Sequence, residues 1–129
     1  MKLNFKDYAI EPLPERDFLD ANSLNDFLED QRNESMMCKL VSDSGYQLQI
    51  GIDGDIGCAQ FLSNDDMPPY YMALAPIQII EEDSHDFDMT GSATYVASEH
   101  CLPFDLLKKI VIEFLQTGQR SELVKWEEV

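Results

Sequence analysis

Apolar and polar positions alternate most cleanly from Tyr46 to Ile52. There Tyr46, Leu48, Ile50 and Ile52 point one way and Gln47 and Gln49 the other, the period of a half-buried β-strand. The run Met36 to Val41 before it reads as a strand. Ser42-Asp43-Ser44-Gly45 between them reads as a turn, with a glycine suited to positive φ. Asp53-Gly54-Asp55 marks the next turn and Gly57 to Leu62 the next strand, so the middle of the chain predicts a three-stranded antiparallel meander with one wet face. A different period appears over Phe104 to Thr117, where Leu107, Ile110, Val111, Phe114 and Leu115 form one stripe at helical spacing. Pro103 suits the start of that helix and Gly118 its end. A second helix is predicted from about Leu24 to Gln31, with Ser23 as N-cap and Leu24, Phe27 and Leu28 as its apolar face; a start nearer Glu15 is the alternative.

The remaining segments carry weaker patterns. Leu3 to Ile10 alternates loosely and predicts a strand ended by Pro12 and Pro14; Ile77 to Glu82 predicts a short strand, and Met89 to Val96 a strand or extended segment. Glu82 to Asp88 reads as an acidic loop, and Glu122 to Val129 as a closing strand with Val124 and Trp126 on one face. Strands and helices do not alternate regularly. The fold class is therefore α+β: a single domain over residues 1–129 with two principal helices packed against a mainly antiparallel sheet.

Charge sharpens this picture. The 129 residues hold 25 Asp and Glu against 9 Lys and Arg, a net charge of −16. Hydrophobic residues make up 44 %, so a folded core, not disorder, is expected. Between Lys39 and Lys108 there is no Lys or Arg, while 12 acidic side chains fall in that span, so these acids are expected to have no cations to pair with. Such a field repels phosphates and anionic membranes, so neither nucleic acid nor a membrane is expected as a direct partner. It attracts basic proteins and speeds their association. The bland reading of the same residues is a solvated face that maintains solubility.

Catalytic and metal signals are weak by comparison. Asp53-Gly54-Asp55-Ile56-Gly57 lacks the further oxygen ligands of a calcium loop and reads as a hairpin turn. His100-Cys101 lacks the context of a nucleophile pair, and no phosphate-binding glycine loop or hydrolase motif is present. Neither catalytic residues, nor a cofactor, nor a metal are assigned. Cys38, Cys58 and Cys101 are odd in number and widely spaced, which predicts reduced, buried thiols. The first twenty residues have no apolar signal region, and no run approaches the roughly 20 apolar residues of a membrane span. A cytoplasmic location is expected.

Several of these segments resemble a known family. Glu113-Phe114-Leu115-Gln116-Thr117-Gly118, Arg120, and Val124-Lys125-Trp126-Glu127-Glu128-Val129 are similar to the helix end and closing strand of the first-numbered immunity family of bacterial polymorphic-toxin and contact-dependent inhibition systems. Leu48-Gln49-Ile50-Gly51 with Asp53-Gly54 and Gly57 matches that family's strand and glycine-marked turn, and Gly91 and Tyr95 fall where it often has a glycine and an aromatic residue. The resemblance is best from about Leu40 onward. It implies an α+β inhibitor that neutralises a cognate toxin domain, often one targeting nucleic acid, such as a nuclease or deaminase with a basic cleft. The resemblance does not locate the binding face. Charge and aromatic placement assign it to Asp53, Asp55, Asp65, Asp66, Tyr70 and Tyr71 and to the segment holding Glu81, Glu82, Asp83, Asp86, Phe87 and Asp88, with Phe87 as an apolar anchor inside a negative rim. Two rival readings remain: a general acidic mimic or adaptor that occupies basic proteins, and a small metal-binding domain or enzyme. Oligomeric state is left open.

Overall fold

The computed structural model describes residues 1–89 and 92–129, with side chains at 88, 89, 92 and 93 left out of the description. Gly91, one of the family-like positions, lies outside the described residues. In chain order the elements are β1 (Leu3–Asp7), β2 (Arg16–Phe18), α1 (Ala21–Gln31), β3 (Met36–Ser42), β4 (Tyr46–Asp53), β5 (Ile56–Ser63), β6 (Tyr71–Ala73), β7 (Ser84–Met89), β8 (Ser92–Ala97), a 3-10 turn (Ser98–His100), β9 (Leu102–Pro103), α2 (Phe104–Thr117) and β10 (Trp126–Glu128). The main sheet runs β10-β6-β5-β4-β3-β1-β2, antiparallel throughout, with β9 also paired to β5. β7 and β8 form a separate antiparallel hairpin. The expected α+β class is what the chain adopts.

The turns of the meander follow their glycines. Gly45 and Gly54 take φ of 98° and 60°, left-handed values open to a residue without Cβ. Helix α2 ends on Gly118 at φ 68°, whose N–H reaches back to Phe114 O. Helix α1 begins at Ala21, between the two predicted starts. Asp20, not Ser23, is its N-cap and accepts the Ser23 N–H at 2.8 Å.

One face of the sheet packs on the two helices. Leu3, Phe5, Leu40, Leu48, Ile50, Ile52 and Phe61 meet Leu24, Phe27 and Leu28 of α1 and Leu107, Ile110, Val111, Phe114 and Leu115 of α2 in one buried cluster. The tail residues singled out by sequence belong here: Phe114 and Leu115 are buried, and Trp126 packs against the cluster while its indole N–H donates to Ser121 O at 2.9 Å.

The opposite face is where prediction and structure part. The meander was expected to show water one side, but the β7–β8 hairpin covers much of it. Phe87, Val96, Cys58 and Cys101 form a second buried cluster, with Met37, Ile56, Met72, Ile79 and Ile80 packed around it. Gln47 is buried and made tolerable by hydrogen bonds from its amide to Ser63 O (3.1 Å) and Asp66 Oδ1 (2.9 Å). Two glycines allow the layers to approach. A Cβ on Gly57 would lie 2.5 Å from Leu107 Cδ2 on the helix side, and one on Gly51 would lie 2.8 Å from Phe87 on the hairpin side. The predicted strand from Ile77 to Glu82 is absent. Ile79 and Ile80 are apolar because they pack on the second cluster, not because they pair.

All three cysteines are free and buried, as expected. Burial pushes the Cys58 thiol from 9.0 up to about 12 and raises those of Cys38 and Cys101 as well. Burial, then the Asp66 charge, carries the Tyr8 hydroxyl from 10.0 to about 12. A group whose pKa is raised on folding contributes stability below its unfolded pKa and loses it as pH climbs toward the folded value. The urea midpoint should therefore hold steady up to about pH 9 and fall between pH 9 and 12. The fall should be shallower in Cys58→Ala; an equal fall would show that this thiol stays unperturbed in the fold.

Candidate functional site

The acidic residues picked from sequence do not converge on one surface. The Asp53-Gly54-Asp55 turn and the Asp65-Asp66 loop stand at opposite ends of β5, more than roughly 20 Å apart for eight strand residues. The β4–β5 end joins the hairpin: His85 Nε2 lies 2.7 Å from Asp53 Oδ2. That contact places Asp53 beside the segment Glu81, Glu82, Asp83 and Asp86, all four exposed. Asp88 lies on β7, and its side chain is outside the description.

The other end of β5 is held mainly by internal bonds. Asp65 takes the Met67 N–H at 3.0 Å and the Ser63 hydroxyl, which together hold its carboxyl below the usual range. Asp66, at φ 61°, accepts from Gln47, and the Tyr70 hydroxyl donates to Asp66 O at 2.9 Å. Tyr71 is half-buried, paired in β6, and covered by the Arg120 guanidinium 4.1 Å from its ring centroid. These residues have structural partners that account for them.

Two expectations are corrected outright. Phe87 is 0 % exposed, in the second buried cluster, and cannot be a surface anchor. Strand alternation explains the reversal: on β7, His85 and Phe87 face the sheet while Asp86 faces out. Second, the acids of the cation-free span are not all without partners. Asp55 receives Arg32 from the end of α1, with Nε at 3.1 Å. Lysine and arginine ion pairs among the described residues go to Asp17, Glu29 and Asp55. Glu29, the partner of both Lys108 and Arg32, is held below its ordinary pKa chiefly by the Lys108 hydrogen bond. The charge is thereby divided. The helix layer carries Arg32, Lys108 and their pairs, and the hairpin layer keeps Glu81, Glu82, Asp83, Asp86 and Glu99 without a lysine or arginine of its own.

The aromatic residue that does stand in the acidic rim is Tyr95. It lies across the hairpin from Asp86 and is 72 % exposed. Beside it opens a cavity of about 350 Å³ between hairpin and sheet. Met37, Met72, Cys58 and Val96 give it apolar walls, Gln49 and Gln60 a polar strip on the sheet, and His100 and Val129 a margin. His100 is 8 % exposed, and its Nε2 sits 2.8 Å from Glu127 Oε1 on β10. Donor atoms of Glu99, His100 and Glu127 all lie within 4.8 Å of one another, a set that also has metal-ligating chemistry. Cys101 does not join His100 as a nucleophile pair. Its thiol donates to the Val96 and Ala97 carbonyls, and burial raises its pKa away from thiolate.

Sequence reasoning missed Tyr95 as a surface residue and missed the Glu99–His100–Glu127 group altogether. Pairing the Ser84–Met89 run with Ser92–Ala97 would have found the first, because the register then sets Asp86 and Tyr95 side by side. The second had no local signal, since His100 and Glu127 are 27 residues apart.

Among the described residues, no helix is long and apolar enough to cross a membrane. No curated protein matches the chain. A family model described as immunity protein Imm1 matches residues 23–128.

Proposed function

Because the chain belongs to the Imm1 immunity protein family, we propose that it neutralises its cognate toxin by stoichiometric binding through the acidic hairpin face, and that the toxin presents a basic, nucleic-acid-handling cleft. Membership supplies the immunity role and with it a toxin partner. The observation that supports the finer reading is the division of charge: the β7–β8 layer carries its acids without a lysine or arginine, while the helix layer holds Arg32 and Lys108 in ion pairs. A nuclease or deaminase toxin must attract phosphates, so its cleft is basic and complements this layer. Occupying that cleft inhibits without any reaction on the immunity protein's side.

Glu81, Glu82, Asp83, Asp86 and Asp53 form the steering surface in this reading, and Tyr95 replaces Phe87 as its aromatic anchor. Asp65, Asp66, Tyr70 and Tyr71 lie at the far end of β5 and serve the fold first. The test is binding of the purified chain to the toxin domain encoded beside its gene, at low and at near-molar salt. A one-to-one complex of nanomolar affinity that persists at high salt, with toxin activity abolished, is the expected result. Binding that disappears at moderate salt and extends to unrelated basic proteins would replace this reading with a general acidic mimic.

A further inference from the structure

The sheet edges of this fold differ in how they are guarded. β2 and β10, which end the main sheet, are three residues each and carry Arg16 and Asp17, and Glu127 and Glu128. β7 lies over β3 and β4 and carries Asp86. β8 has none of these features. Its six residues, Ser92-Ala93-Thr94-Tyr95-Val96-Ala97, hold no charge and no proline, and they pair with β7 one for one without a bulge. Among the described residues β8 pairs with β7 alone. Proteins blunt exposed edges with charge, proline, bulges or short length, because an unguarded edge is a template for another strand.

The hairpin's own bonds fix which groups that edge offers. Ser98 N–H donates to Asp83 O at 2.8 Å. By the alternation of an antiparallel ladder, Val96 and Thr94 then bond to His85 and Phe87, and the N–H and C=O groups of Tyr95 and Ala97 point away from β7. The Cys101 thiol donates to Ala97 O at 3.5 Å. Among the described residues no backbone bond from another segment reaches the Tyr95 N–H and C=O or the Ala97 N–H. Beneath this edge lies the cavity of about 350 Å³, with Thr94 to Ala97 on one side and Met37, Met72, Gln49 and Gln60 of the sheet on the other.

We infer that the β8 edge takes up an extended segment of the toxin as a third strand of the hairpin layer, an assignment that rests on the proposed immunity function and adds how the toxin docks. Side chains of a strand paired there alternate between two faces. Those level with Thr94 and Val96 turn toward the cavity, where Met37 and Met72 suit apolar groups. Those level with Tyr95 turn outward, beside an exposed aromatic ring that favours a cation and near the exposed Asp86 and Glu99. The segment that fits therefore alternates basic and apolar residues. Charge disfavours a second copy of this chain as the occupant. Pairing β8 with β8 would bring together the acidic faces of two molecules, each at −16.

Amide-resolved hydrogen exchange on the full chain, free and with the toxin domain encoded beside its gene, reads this edge directly. In the free chain the Tyr95 and Ala97 amides should exchange fast and those of His85 and Val96 slowly; in the complex all of them should be slow. The toxin segment that gains protection should alternate basic and apolar residues. A substitution gives the second measurement. Ala97 has φ −58° and ψ 148°, values open to proline, and its N–H takes no part in the hairpin ladder. Ala97→Pro should therefore leave Tm nearly unchanged and bind the toxin about tenfold or more weakly. Ala97→Ser, which keeps the N–H, should bind within about twofold of the wild type. Tyr95 and Ala97 amides that stay fast in the complex, or an undiminished affinity in Ala97→Pro, would overturn the edge assignment while the immunity reading stands. Protection that grows with chain concentration in the absence of toxin would overturn it in favour of a second copy. A toxin that does not bind the wild type would remove the immunity reading and this inference with it.

Discussion

Replacing Phe87 by alanine is expected to lower the unfolding free energy by about 3–5 kcal/mol, the usual cost of emptying a buried phenylalanine site. The ring is 0 % exposed, contacts the His85 ring edge-on at 5.1 Å, and lies against Gly51 and the Cys58 cluster. It is the largest apolar side chain that joins the hairpin to the sheet. At this chain length, a loss of that size lowers Tm by roughly ten degrees or more. Tyr95→Ala, on the outer face of the same hairpin, should leave Tm nearly unchanged and act on toxin affinity instead. The pair of variants reads the register directly. A strand shifted by one residue would exchange the two faces, so an unaltered Tm in Phe87→Ala together with weakened toxin binding would return Phe87 to the surface. Thermal unfolding and a binding isotherm on both variants decide between these arrangements.

Reversing Glu81, Glu82 and Asp83 to lysine changes the net charge from −16 by six units to −10. Association with the toxin is expected to slow by about 10- to 100-fold at low ionic strength, since steering acts on the encounter rate. Dissociation should change little, because exposed rim charges contribute little once the complex has formed. Stopped-flow association measured from low to high salt should show the two rate curves converging as screening shortens the reach of the field. Asp43→Lys, an exposed acid in the turn between β3 and β4, is the control for total charge. An equal slowing per reversed charge in that control would place the steering in the whole-molecule field and not in the hairpin layer.

How much of this was legible beforehand depends on how locally each feature is specified. The β4 alternation is set by residues two positions apart and the α2 stripe by residues three or four apart, and both elements formed where the pattern placed them. Glycines at the turns likewise act through their own φ. By contrast, β2 and β6 are three residues each and exist because distant strands pair with them, as Trp126 does with Ala73. Nothing in three residues announces such a partner. The Glu82–Asp88 segment shows the same limit from the other side. Its acids suggested a loop, yet pairing with β8 and burial of Phe87 made it a strand, with Asp86 on the outer face and Glu82 and Asp83 exposed at its entry.

The amino-acid sequence by itself determined the class of fold, the two helices, the central meander, the buried thiols, the acidic excess and the family resemblance. Each of these is a property of local periodicity, of side-chain chemistry or of the total count. Tertiary structure alone decided which acids stay unpaired, which aromatic residue meets solvent, and where a cavity forms. Arg32 reaches Asp55 across 23 positions, His100 reaches Glu127 across 27, and the hairpin closes over a sheet face that its own sequence marks as polar. The physical reason is that a side chain's exposure and charge partners are set by what packs against it, and that packing joins segments whose separation along the chain carries no periodic trace.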